Sequence, residues 1–233
     1  ERIACDYILE GKADAIVNVI DSSNLERNLY LTLQLLEMGI PVIVALNMMD
    51  VAKQKRLSVD VDALSKYLSC PVVPLEAVKK RGVTALKEAI VIQTQTHYEP
   101  HLPFAYRAPV ERAINEIISG GLQDRERMQV RWQVIHMLEG DSLLCRDMPE
   151  SVTQAVIDWQ GKLLNELDHE ADIVIADARY EFIGDLVNAC VTRAPSKRGH
   201  VTQLIDNIVL NRFLGIPIFF AMMYCMFLFA INI

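Results

Sequence analysis

Val42-Ile-Val-Ala-Leu46 is an apolar run that breaks off abruptly in Asn47-Met48-Met49-Asp50. Five consecutive apolar residues, entered through Gly39 and Pro41, read as a strand buried on both faces, and such strands belong to parallel sheets covered by helices. In open α/β sheets ligands bind at the carboxyl ends of the strands, where this run turns polar. Asn-x-x-Asp is a spacing at which one amide and one carboxylate can address the edge of a guanine base. A carboxylate accepts two hydrogen bonds at once, so Asp50 could take the ring N–H and the exocyclic amine of guanine, a pair that adenine does not offer. The competing reading is plainer, because Asn and Asp are also ordinary loop residues after a strand.

The surrounding sequence supplies a series of βα units. Asp14 to Ile20 reads as a second buried strand, followed by the polar cluster Asp21-Ser-Ser-Asn24, of which Ser22, Ser23 or Asn24 could cap a helix from Leu25 to Met38. The Leu29, Leu33, Leu36 stripe of that helix would pack on the sheet. After the central strand come a helix from about Asp60 to Leu68, a short strand from Pro71 to Leu75 and a helix from about Val83 to Gln95. Glu1 to Glu10 has helical spacing. A loop containing Pro100, Pro103 and Pro109 then separates a second part that reads as helices without strands: Val110 to Ile118, Arg127 to Glu139, Val152 to Leu167 and Asp172 to Thr192. Trp132 and Trp159 read as packing residues of this part.

With 233 residues the chain is long enough for two domains. Its net charge of −7 argues against nucleic acid as a partner, since phosphate neutralisation needs a basic surface. The five cysteines are scattered without a C-x-x-C pair and read as reduced thiols rather than metal ligands or disulfides. His97 and His101 are separated by Pro100 and do not make a helical metal pair. No metal ligand is assigned.

Phe213 to Ile233 carries no charged residue. As a helix it would be roughly 31 Å long, matching the ~30 Å hydrocarbon core of a bilayer, and it is expected to be a transmembrane helix. Arg193, Lys197, Arg198 and Arg212 precede it, so the positive-inside rule places the amino-terminal part in the cytoplasm.

Five stretches taken together resemble the bacterial ferrous iron transport protein B family. They are Asn47-Met-Met-Asp50, Asp21 to Leu31, Leu138-Glu-Gly-Asp141, Ile175-Ala-Asp-Ala-Arg-Tyr180 and Ile208 to Pro217. The resemblance covers essentially the whole chain, in the family's order. It implies an α/β fold, the carboxyl-terminal half of a P-loop GTPase-like parallel sheet, followed by an all-α helical domain and one transmembrane helix. The implied boundaries are 1–98 for a partial G domain carrying the base-recognition half, 99–197 for a helical domain acting as a guanine-nucleotide dissociation inhibitor, and 198–233 for a juxtamembrane segment and first transmembrane helix.

Carried over by residue, the resemblance assigns guanine binding to Asn47, Met48, Asp50 and Ala77. Met48 stands where many GTPases keep a lysine, so aliphatic cover over the base is retained without the cationic tip. Leu75-Glu76-Ala77 falls where the next guanine loop usually reads Ser-Ala; Ala77 could still give its backbone N–H to the guanine oxygen. Glu76 departs from that pattern and could weaken the loop's local hydrogen bonding, while its plainer reading is a solvated loop side chain.

No G-x-x-x-x-G-K-[ST] phosphate loop and no D-x-x-G segment occurs in this sequence. The chain is therefore expected to be an internal piece that does not hydrolyse GTP alone, and no catalytic residue is assigned. GTP or GDP is the expected ligand through its guanine part, with Mg²⁺ only in the complete protein. Expected partners are the missing half of the G domain and the permease of the same protein, Fe²⁺ as the transported substrate, and the lipid bilayer of the bacterial inner membrane, with residues 1 to about 212 cytoplasmic. The alternative is a membrane-tethered module without NTPase chemistry, serving as a scaffold or partner surface.

Overall fold

In the computed structural model of the chain, residues 7–8, 13–95, 101–122, 127–141, 148–194 and 215–231 are described. Two compact units are present, Glu1–Thr192 and Arg193–Ile233. In the first, β1 (Ile16–Asp21), β2 (Val42–Asn47) and β4 (Val72–Pro74) form a parallel sheet in the order β1-β2-β4. The register pairs Asp21 with Asn47 and Leu46 with Pro74, so the carboxyl ends of all three strands finish together. Every residue from Val42 to Leu46 is buried, as a strand covered on both faces requires.

One face of the sheet is covered by α1 (Leu25–Glu37) and α3 (Val61–Leu68), which bury Leu29, Leu33, Leu36, Leu64 and Leu68 against Ile20, Val42, Val44 and Leu46. Full burial of each such leucine contributes about 1.5–3 kcal/mol. The opposite face is covered by α4 (Val83–Gln95), whose Leu86, Ala89 and Ile90 pack on Ile43, Ala45, Val73 and Leu75. None of Ser22, Ser23 and Asn24 caps α1 with its side chain. Asp21 orders that turn instead, accepting the Ser23 N–H at 2.7 Å through its carboxylate and the Asn24 N–H at 3.1 Å through its carbonyl.

Helix α4 reaches β2 and β4 but leaves β1 open on that face, where Val19 is 61% exposed. Among the described residues β1 is also an edge strand, and an apolar edge is a template for pairing with another chain. We expect residues 1–197 to self-associate and Val19→Lys to suppress this without changing the urea midpoint. Light scattering at matched concentrations checks it; unchanged association in the variant would be the contrary result.

The second half of this unit is helical: α5 (Ala108–Ser119), α6 (Arg127–Leu138), α7 (Glu150–Leu167) and α8 (Ala171–Cys190). Its core joins Val110, Ile114, Ile117, Val134, Ile135, Val156, Leu163 and Ile175. Trp159 belongs to this core, while Trp132 packs with Ile8, Met38 and Ile40 at the seam with the sheet half, so both tryptophans pack as expected. Helix α8 serves both halves. Its amino-terminal part, through Val174 and Ile175, enters the helical core, and its carboxyl-terminal Ile183, Leu186 and Cys190 enter the core under α1 and α3.

One expectation fails at the end of α8. A strandless second half was read from the sequence, but the chain leaves the helix at Cys190 and forms β5 (Val191–Arg193), which pairs with β3 (Leu57–Val59). The Asp60 N–H donates to the Cys190 carbonyl at 2.8 Å beside this pair. A three-residue strand has no readable periodicity, and its pairing partner lies far away in sequence. The short helix α2 (Met49–Gln54) and β3 went unread for the same reason.

The halves are also joined by a buried polar clasp. Arg179 on α8 has no exposed side-chain surface and donates to Glu37 of α1 at 2.9 Å and to Glu139, just beyond α6. Its other contacts are the Tyr30 hydroxyl at 3.1 Å and the ring of Tyr106, whose hydroxyl donates to Glu37. His136 of α6 lies beside this group, 3.5 Å from Glu139. Burial first, and then the Arg179 charge, lower its pKa from the ordinary value of 6.5, outweighing the opposing pull of Glu37 and Asp141.

A histidine with a depressed folded-state pKa contributes stability that is present above its unfolded pKa and lost as pH falls through the folded one. We expect the stability of the first unit to decline as pH drops below about 6.5, and His136→Gln to flatten that decline. Urea titrations at pH 7.5 and 5.5 measure it; parallel losses in both proteins would assign the acid sensitivity elsewhere.

The second unit contains α9 (Gly215–Ile231), 17 residues of apolar sequence. That length corresponds to roughly 26 Å. Among the described residues no helix is long and apolar enough to cross a membrane. The described part of the expected span at 213–233 is helical but falls short of a membrane-crossing helix, and Lys197, Arg198 and Arg212 of the flanking basic segment lie outside the described residues. Also outside them are His97, Cys5 and Cys145. Cys70 and Cys190 are free and buried, and burial pushes the Cys70 thiol up to about 12, which makes it unreactive.

Candidate functional site

The carboxyl ends of β2 and β4 bring the two predicted loops side by side. β2 delivers Asn47 as its last residue. The chain then turns sharply at Met48, which adopts a left-handed φ of 61° and starts α2, so that Asp50 falls in that helix's first turn. Such a φ is uncommon outside glycine and is held here by the Leu75 N–H donating to the Leu46 carbonyl at 2.7 Å and the Met49 N–H to the Leu75 carbonyl at 3.4 Å. Met48 is 45% exposed at the rim of this turn.

From β4 the chain runs through Glu76 into a single 3₁₀ turn, Ala77–Lys79, and returns through Arg81 to Gly82. A Glu76–Arg81 backbone bridge closes this loop. Gly82 has a φ of +81°, and a Cβ there would lie 2.2 Å from the Pro74 carbonyl oxygen, so only glycine permits the loop to close on the strand.

The loops are hydrogen-bonded to each other. The Ala77 N–H donates to the Asn47 Oδ1 at 3.1 Å, so Asn47 fixes the second loop against the first, and the N–H expected to meet a guanine oxygen is engaged by this side chain. Asp50 Oδ1 accepts the Val51 N–H at 3.0 Å, and Asp50 Oδ2 accepts from Lys79 Nζ at 2.7 Å. The hydrogen bond from Lys79 holds the Asp50 carboxyl below the usual carboxylate range, and the same bond raises the Lys79 pKa.

The structure therefore brings Asn47, Met48, Asp50 and Ala77 to one place, and it adds two residues that the sequence reading did not assign. One is Lys79, to which no local pattern assigns a partner. Glu76 was read as a solvated side chain; it instead stands 3.1 Å from Lys79 Nζ and 3.4 Å from Arg81, with 21% of its side chain exposed. The signal for both was the Lys79-Lys80-Arg81 run directly after the loop, a concentration of cations that carboxylates nearby would be drawn to. Among the described residues no cluster of His, Cys, Asp and Glu is arranged to hold a metal ion.

The arrangement places an amide, a carboxylate and an exposed methionine together at the carboxyl edge of a parallel sheet. Comparison with known proteins agrees on the fold. Residues 1–90 match the family described as ferrous iron transport protein B, and residues 106–192 match the FeoB cytosolic helical domain. The chain is 47% identical over its whole length to the Fe(2+) transporter FeoB of Salmonella typhimurium and 46% identical to that of Escherichia coli, and it spans 30% of the length of each.

Among solved structures, a point mutant of S. thermophilus NFeoB bound to GDP superposes with a TM-score of 0.76 at 35% identity, covering 81% of this chain and 74% of that one. The cytosolic domain of L. pneumophila FeoB gives 0.69 at 31%, covering 82% and 73%. A further S. thermophilus NFeoB mutant, bound to GMPPNP, gives 0.75 at 34%, covering 81% and 74%. The chain belongs to the ferrous iron transport protein B family, with a G-domain-like parallel α/β fold followed by the family's helical domain.

Proposed function

We propose that this chain is the base-recognition half of a G domain, about residues 1–98, joined to a regulatory helical domain, 99–197, and to the juxtamembrane segment and first membrane span, 198–233, of a longer GTP-dependent Fe²⁺ transporter of the bacterial inner membrane. The observation that carries this reading is the convergence of Asn47, Met48, Asp50 and Ala77 at the adjoining carboxyl ends of β2 and β4. The donor and acceptor set fits guanine: a carboxylate for the two N–H groups of its edge, an amide for its acceptor side and a methionine over its face. Solved relatives bound to GDP and GMPPNP support the same ligand here.

In this reading Asp50 reads the base, and Asn47 pre-positions the second loop by holding the Ala77 N–H until the base enters and that N–H turns to the guanine oxygen. Phosphate binding and Mg²⁺ belong to a segment outside this sequence. The Arg179 clasp gives the helical domain a rigid purchase on α1, so that the domain can bias nucleotide release and, through α8, the chain leading to the membrane. Fe²⁺ is the cargo of the whole protein, and the span lies at 213–233.

The test is equilibrium binding of GDP and ADP to the full-length protein in detergent, paired with Fe²⁺ uptake into proteoliposomes with GTP or ATP inside. Tighter binding of GDP than ADP, and uptake supported by GTP alone, are the expected results. Equal affinities for the two nucleotides would sink the assignment of the site.

A further inference from the structure

We propose that Lys79 is an internal competitor for the guanine edge, and that Glu76 is the second seat to which its ammonium moves when the base binds. This rests on the reading of Asp50 as the guanine-recognising carboxylate and adds a residue that sets affinity at that site. A guanine edge presents two N–H donors and needs both carboxylate oxygens. Asp50 Oδ2 is already occupied by Lys79 Nζ at 2.7 Å, within the range of a charge-assisted hydrogen bond. The base has to displace the ammonium.

The loop is built so that this displacement is small. Lys79 Nζ also lies 3.1 Å from Glu76 Oε2, and the Lys79 N–H donates to the Glu76 carbonyl at 2.9 Å, so backbone and side chain of Lys79 are both held by Glu76. Release from Asp50 therefore leaves the ammonium paired rather than stranded, with no backbone movement required. Arg81, 3.4 Å from the same Glu76 oxygen, keeps that carboxylate turned toward the loop. A neutral side chain at position 76 could not hold the displaced charge. Lys79 is about half exposed and Asp50 about a third, so the competition is solvent-screened and modest.

The experiment measures GDP and XDP dissociation constants for the full-length protein and four variants: Lys79→Met, Glu76→Gln, the double variant and Asp50→Asn. Lys79→Met is expected to tighten GDP binding by about two- to fivefold, the range for an exposed ion pair. Glu76→Gln is expected to weaken it, and the double variant to match Lys79→Met, since Glu76 acts through Lys79. Unchanged or weaker GDP binding in Lys79→Met, while Asp50→Asn moves preference to XDP, overturns the competition and leaves the base reading intact. No shift toward XDP in Asp50→Asn overturns the base reading, and the competition with it.

Discussion

Arg179→Ala is expected to lower the unfolding free energy of the first unit by about 3–5 kcal/mol, the cost of breaking a buried ion pair from one side. Arg179 is fully buried and divides its guanidinium between Glu37, also fully buried, and Glu139. Removing it leaves two carboxylates without their cation, together with the Tyr30 hydroxyl that it contacts. Arg179→Lys should recover little of the loss, because one ammonium cannot fork to two carboxylates as a guanidinium does. Because the clasp bridges α1 and α8, unfolding should also lose cooperativity, with the helical half melting apart from the sheet half. Urea unfolding followed by tryptophan fluorescence and by far-ultraviolet circular dichroism checks both points. A loss under about 1 kcal/mol with coincident transitions would show the clasp to be energetically idle.

Asp50→Asn should invert base preference in the full-length protein. Xanthine carries an acceptor where guanine carries its exocyclic amine, so an asparagine amide can donate where the carboxylate accepted. GDP affinity is expected to fall on the order of tenfold to a hundredfold, the range for losing a hydrogen bond to a charged acceptor, and XDP is expected to become the tighter ligand. Asn47→Ala should weaken both ligands with little change in their ratio, since Asn47 Oδ1 holds the Ala77 N–H and so pre-positions the loop before either base enters. The plainer role for Asp50 is also visible, in its Oδ1 accepting the Val51 N–H at the start of α2. If that were its whole role, substitution would lower thermal stability and leave the GDP to XDP ratio where it was.

The two residues at issue in these predictions were legible to different degrees. Asp50 was read because a buried strand ending in Asn-x-x-Asp is a local pattern, and local patterns carry strand burial, ligand edge and residue chemistry together. Arg179 lay in a stretch quoted for its resemblance to the family, yet nothing local distinguishes it from a solvent-facing arginine on a helix. Its partners stand 142 and 40 residues away. Only the crossing of α8 over α1 buries it, and burial is what turns an ordinary surface cation into a clasp.

Apolar periodicity and the residues flanking it determined the β1, β2 and β4 strands, the Leu29, Leu33, Leu36 face, the helices of the second half and the place of the Asn47–Asp50 turn at a strand's end, because each is set by side chains within a turn or two of one another. The tertiary structure decided what depends on distant segments meeting: the β3–β5 pair, the Arg179 clasp, and the Lys79 ammonium seated between Asp50 and Glu76. A charge's partner is fixed by where the fold carries it, and sequence separation does not record that distance.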